Sequence, residues 1–214
     1  MKVIDLTHTI EPGMPVYPGT EPPQFLPANS YEKDGFRETK LQMYTHTGTH
    51  MDPPAHLYAD RTTLDAFPPE QFIGKALVID CTDATPKSGI PLSAILRYGE
   101  KAEQADFLLF SLGWDRFWGT EAYFGDYPCL TDEALCYIMD GQYKGIGFDV
   151  IGLDPIADTK LTRHNKLFAH NDIVNIENLK NLSLCGEDLF WFSCFPLKLA
   201  HCDGSPIRAV AWFE

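Results

Sequence analysis

Three histidines and one aspartate fall within eleven residues: His46-Thr-Gly-Thr-His50-Met-Asp52-Pro-Pro-Ala-His56. Neutral imidazole and carboxylate bind Zn²⁺ and Mn²⁺ well. A site with two or three such ligands keeps a position open for water. The ion lowers the pKa of that water to about 7, which gives a nucleophile at neutral pH. A carboxylate such as Asp52 could also bridge two ions ~3.5–4 Å apart. The chain has only seven histidines, so this crowding points to a metal site rather than to scattered core or surface residues.

The backbone that carries these groups is not a helix. A His-x-x-x-His spacing often marks two ligands one helical turn apart. Here Gly48 breaks a helix and Pro53-Pro54 forbids one just after Asp52. In an extended chain His50 and Asp52 point the same way. The proline pair then turns the chain, which could return His56 to the same point, and Gly48 permits close backbone approach.

Strand-like runs recur at 39–45, 76–81, 107–112, 145–150, 173–176, 189–195 and 208–212. Helical patterns lie between some of them. Pro91–Arg97 has Pro at its first turn, and Thr131–Met139 starts on an N-cap Thr and meets Gly141. Residues 158–169 are a third candidate. Strands outnumber helices in mixed order. The expected fold is α/β: one domain over residues 1–214, with a mixed sheet or half-closed barrel and flanking helices. The Pro/Gly-rich start, Glu11 to Pro23, interleaves Met14, Val16 and Tyr17 with turn residues. It reads as an ordered loop laid over the body.

The chain of 214 residues is 44% hydrophobic and 22% charged, which is globular rather than disordered. A formal net charge of −13 disfavours nucleic acid and anionic membrane as partners, since both need a basic face. No apolar run approaches the ~20 residues that span a bilayer. The opening residues lack a signal peptide's apolar core, so the expected location is cytoplasmic. Six cysteines, none in a C-x-x-C pair, read as buried, reduced thiols rather than as a disulfide framework or a Cys-ligated zinc site.

The pattern His46-x-Gly-Thr-His50-x-Asp52-x-Pro54-x-His56 resembles the signature of the cyclase family, which includes bacterial kynurenine formamidases and isatin hydrolases. Ile4-Asp5-Leu6-Thr7 with Gly13–Gly19, Gly113-Trp114-Asp115, Gly145–Pro155, Ile173–Leu182 and Asp203-Gly-Ser-Pro-Ile-Arg208-Ala-Val-Ala211 extend the likeness in order along nearly the whole chain. The resemblance implies a swivelling β/β/α-like fold and a homodimer or homotetramer, with the Pro-rich arm at the interface. It also implies two divalent ions per chain, zinc or manganese. His46, His50 and Asp52 would hold the first ion, with Asp52 bridging to the second. His164 would bind that second ion and Glu177 would touch both, with His170 the competing histidine nearby. His56 would move the proton, and Tyr17 would stand at the substrate position that formamidases give to Trp. The implied reaction is hydrolysis of an aryl formamide such as N-formylkynurenine, a step of tryptophan catabolism, or of a cyclic amide. Isatin, a lactone or an imide are alternative substrates, and a non-catalytic metal-binding scaffold is the alternative to an enzyme.

From the residues alone, Glu177 is either a buried acid needing a cation or a surface acid at a strand end. Asp149 and Asp154 either orient ligand histidines or, for Asp154-Pro155, form a turn. Trp114, Trp118, Tyr123 and Phe124 are core packing or a pocket wall. His8 and His201 read as structural or surface residues.

Overall fold

A computed structural model describes residues 1–213. The strands are β1 (Lys2–Asp5), β2 (Gln24–Asn29), β3 (Glu38–Gln42), β4 (His50–Asp52), β5 (Ile73–Asp80), β6 (Phe107–Ser111), β7 (Gly145–Phe148), β8 (Val174–Glu177), β9 (Phe190–Ser193), β10 (Ser205–Pro206) and β11 (Val210–Phe213). The helices are α1 (Tyr31–Asp34), α2 (Leu92–Leu96), α3 (Glu100–Glu103), α4 (Asp132–Asp140) and α5 (Thr162–Phe168). One nine-stranded sheet runs β1-β11-β9-β5-β6-β7-β8-β4-β10, curled into a half-barrel. The β5-β6-β7-β8 neighbours are parallel, and the strands on either side add antiparallel. This is the mixed sheet expected from the strand count.

Alternation divides the core between the two faces of the sheet. Leu77, Ile79, Leu108, Phe110, Ile146 and Phe148 point to one face, where Ile95 of α2, Leu135 of α4 and Leu167 of α5 close the layer. Ala76, Val78, Phe107, Leu109, Val174 and Ile176 point into the curl, against Met51 and Leu179. Thr131 caps α4, its hydroxyl accepting from the Ala134 N–H at 3.3 Å.

Several elements differ from expectation. β4 has only three residues, too few to show alternation between Gly48 and the prolines. The candidate helix 158–169 shortens to α5 because Leu161 takes a left-handed φ of 50° and the Asp158 carboxylate binds the Lys160 and Thr162 N–H groups in a turn. β2 and β3 form a separate two-stranded ribbon. Cys81, Cys129, Cys185 and Cys194 are buried free thiols, but Cys136 is exposed. Among the described residues no helix is long and apolar enough to cross a membrane.

Candidate metal centre

The site is built on the pairing of β4 with β8. The register sets His50 opposite Glu177 and Asp52 opposite Asn175. Period-two alternation then sends Met51, Val174 and Ile176 into the core, and His50, Asp52, Asn175 and Glu177 to the other face. Gly48 (φ 67°) lets the chain enter β4. Its carbonyl accepts from His50 Nδ1 at 2.8 Å and from Asn178 Nδ2 at 2.8 Å. After β4, a single 3₁₀ turn begun by Pro54 carries His56 back over the site, with its ring 4.2 Å from that of His46.

Two donor sets converge on Asp52. In the proximal set, His46 Nδ1 lies 2.6 Å and His50 Nε2 3.3 Å from Asp52 Oδ1. In the distal set, His164 Nε2 lies 3.7 Å from Asp52 Oδ2 and 3.3 Å from Glu177 Oε1. His50 Nε2 is also 3.5 Å from Glu177 Oε2. Glu177 is buried, not a surface acid, and its Oε1 accepts the Leu153 N–H at 2.9 Å. His170 is exposed and stands outside the cluster.

The second ring nitrogen of each inward histidine is anchored. His50 Nδ1 donates to the Gly48 carbonyl, His164 Nδ1 faces Asp154 Oδ2 at 2.8 Å, and His46 Nε2 faces Asp203 Oδ2 at 3.3 Å. With those nitrogens protonated, the lone pairs of His46 Nδ1, His50 Nε2 and His164 Nε2 point inward. Anchoring of this kind orients histidine ligands for a metal. Asp154 thus fixes the His164 ring and also accepts the Arg163 and His164 N–H groups at the start of α5. Asp149 does not. It accepts the Leu112 and Trp114 N–H groups, and burial pushes its carboxyl up to about 7.

The electrostatics favour a cation. Burial works against imidazolium at His46, His50 and His164, yet the carboxylates Asp52, Glu177, Asp154 and Asp203 raise the proton affinity of all three, His46 to about 10. Burial would likewise raise Asp52, but His50 and His46 hold it well below the carboxylate range. Left to themselves, the acids draw protons onto their neighbours, and a divalent ion would supply the same charge. The proximal set, with three convergent donors of zinc and manganese type, fits such an ion. His56 behaves oppositely: burial lowers its pKa, and it forms no ion pair with a carboxylate among the described residues.

The donors line a cavity of about 280 Å³. Its other walls are Pro15, Val16, Tyr17, Ile151 and Leu161, so the N-terminal loop covers the chain's own site, held down by buried Met14. Trp114, Trp118, Tyr123 and Phe124 lie outside it, as core packing. His8 is structural: it stacks on Trp118 at 3.8 Å.

Asn175 and Asp203 received no role from the sequence. Asn175 carried a signal, a polar side chain inside the run Ile173-Val-Asn-Ile176 on the same face as Glu177. Asp203 opens the segment Asp203–Ala211 that resembles the family, but nothing in that segment tied it to His46 before folding placed the two together.

Residues 4–155 match the family described as Putative cyclase. The chain belongs to the cyclase family. Among cyclase-family relatives, the kynurenine formamidase of Salinibacter ruber is 28% identical over 213 residues, covering 98% of this chain and 97% of its own. That of Bacillus cereus is 28% identical over 210 residues, covering 97% and 95%. An isatin hydrolase bound to the product analogue thioisatinate shares the fold, with TM-score 0.88 at 24% identity over 98% of this chain and 91% of that one. A predicted metal-dependent hydrolase from Bacillus stearothermophilus matches with TM-score 0.75 and 27% identity, over 98% and 97%.

Proposed function

We propose that this chain is a metal-dependent hydrolase that opens a carbon–nitrogen bond in a small aromatic amide, an aryl formamide such as N-formylkynurenine. The observation that carries this reading is the convergence of His46 Nδ1, His50 Nε2 and Asp52 Oδ1 beside His56, at the floor of a largely apolar cavity. A divalent ion held there, zinc or else manganese, supplies Lewis-acid charge and a water acidic enough to ionise near neutral pH.

The chain's own residues do the rest. Anchored second nitrogens keep His46 and His50 in one tautomer and one orientation. His56 is neutral at neutral pH because burial lowers its pKa. It accepts a proton as the carbonyl is attacked and returns it to the departing nitrogen. Pro15, Val16, Ile151 and Leu161 contact the ring of the substrate, and Tyr17 borders it at the rim. Three proximal protein donors leave room for water, which supports an enzyme over a scaffold with a filled coordination sphere.

A cyclic amide is the second reading, supported by Tyr17, whose ring is smaller than the Trp that the resemblance places there in formamidases. An assay panel of N-formyl arylamides, isatin, cyclic imides and lactones, run before and after chelation, separates the readings. Hydrolysis of a formamide that stops on chelation is the expected result. Activity unchanged by complete metal removal would sink the proposal. The family resemblance implies a second ion among Asp52, His164 and Glu177.

A further inference from the structure

Asn175 is 0% exposed and stands on the site face of β8, directly across from Asp52. Its Nδ2 donates to Glu177 Oε1 at 2.8 Å and to Asp52 Oδ2 at 3.1 Å. The same nitrogen lies 3.4 Å from His164 Nε2. These three acceptor atoms are the distal set, the ones a second ion would have to share.

An amide nitrogen offers two hydrogens and no lone pair to a cation. Both hydrogens here have a buried carboxylate acceptor, and such charge-assisted bonds are the stronger kind. An ion centred among Asp52, His164 and Glu177 would press on the amide head and displace both bonds. Turning the amide over would set its oxygen against two anionic oxygens. Asn175 Oδ1 meanwhile is buried with no hydrogen-bond partner. An unmade bond of that kind is costly, and it is tolerated where the other end of the group is held firmly.

The charge count agrees. Asp154 has Arg163 at 3.6 Å and Asp149 lies outside the cavity, accepting the Leu112 and Trp114 N–H groups, so the buried acids of the site without a fixed cation are Asp52 and Glu177. One divalent ion in the proximal set balances them, whereas a second would leave excess positive charge in a buried site.

We infer that the Asn175 amide takes the place of a second ion, so that this chain holds a single divalent ion, in the proximal set of His46, His50 and Asp52. The inference rests on the reading that the proximal set binds an ion, and it departs from the two-ion centre implied by the family resemblance. Asn175 then acts as a positioning residue: it holds Asp52 Oδ2 and Glu177 Oε1, which leaves Asp52 Oδ1 turned toward His46 and His50.

The test is a metal count. Chelator-treated full-length protein is titrated with zinc chloride, and separately with manganese chloride, by calorimetry. Bound metal is then measured by elemental analysis after desalting. Wild type is expected to take up one ion per chain. Asn175→Asp puts a carboxylate into the distal set and is expected to raise the count to two. His164→Ala in that background is expected to return it to one. Asn175→Ala removes the amide without adding charge and is expected to admit a weaker second ion. Two ions in the wild type would overturn the inference and leave the hydrolase reading standing, while none would sink both. If Asn175→Asp and Asn175→Ala both fold with native circular dichroism yet stay at one ion, Asn175 is not what bars the distal set. The wild-type count decides the matter even if a variant fails to fold.

Discussion

His56 differs from the other histidines around the cavity in having no hydrogen bond or ion pair on either ring nitrogen among the described residues, and burial outweighs the pull of Asp52 and Glu177 on its proton affinity. That freedom suits a group that must take up and release a proton in each cycle. His56→Ala should lower kcat/KM about 10²- to 10⁴-fold while leaving the ion count at the wild-type value. Full activity on the best substrate of the panel would remove it from the mechanism. His46 is the opposite case, gripped by Asp203 from outside. Asp203→Ala should weaken ion binding by about 10- to 100-fold in calorimetry. Asp203→Asn keeps an acceptor for the ring N–H and should lose less. Equal affinity in all three proteins would show that the Asp203 contact does not position His46.

Elements place these groups through a few close approaches. A Cβ on Gly204 would lie 2.6 Å from His46 Cε1, so Gly204→Ala must displace that ring from its present contacts. Weaker ion binding with unchanged circular dichroism is expected, and unaltered affinity would mean that the ring has room to yield. Thr131→Ala is a useful contrast. It removes the cap of α4 and should cost about 1 kcal/mol in urea unfolding without touching ion binding. The two substitutions act on elements of very different legibility. Helix α4 is readable from its cap, its acidic first turn and Gly141, because those signals are local. Strand β4 is not, because three residues between a glycine and a proline pair carry no periodicity, and only pairing with β8 makes them a strand.

At the scale of the whole molecule, two expectations concern surfaces and acid. The β2–β3 ribbon stands apart from the main sheet and exposes Phe25, Leu26 and Leu41. A lone two-stranded ribbon is marginal in water, so a second copy of the chain is expected to cover it. Sedimentation should give a multiple of 24.1 kDa, with Leu26→Glu plus Leu41→Lys shifting it toward the single chain. A wild type that sediments as a single chain at micromolar concentration would refute this.

His8 is buried against Trp118 with Nε2 unpartnered, and burial, with Lys180 nearby, lowers its pKa from 6.5 to about 4. The folded protein therefore binds fewer protons than the unfolded chain. The stability linked to His8 is complete above pH 6.5 and declines as pH falls from 6.5 toward 4, by on the order of 2 kcal/mol after allowing for solvent screening. His8→Phe should flatten that part of the acid limb in urea unfolding, whereas an identical slope would show that His8 titrates normally.

The sequence by itself determined the chemistry on offer: ligand-type residues packed into one segment, a backbone there that is not helical, an acidic chain of net charge −13, and a mixed α/β order of elements. These follow from residue type and from spacing over a few positions, which act within a turn or a pleat. Only the tertiary structure decided how the groups combine. His164, Glu177 and Asp203 lie more than a hundred residues beyond His56, and sheet order and register brought them to it. The same register set Asn175 against Asp52, so that a neutral amide occupies the place a second cation would need. Distances between strands far apart in the chain depend on how the whole core packs, and no local pattern encodes them.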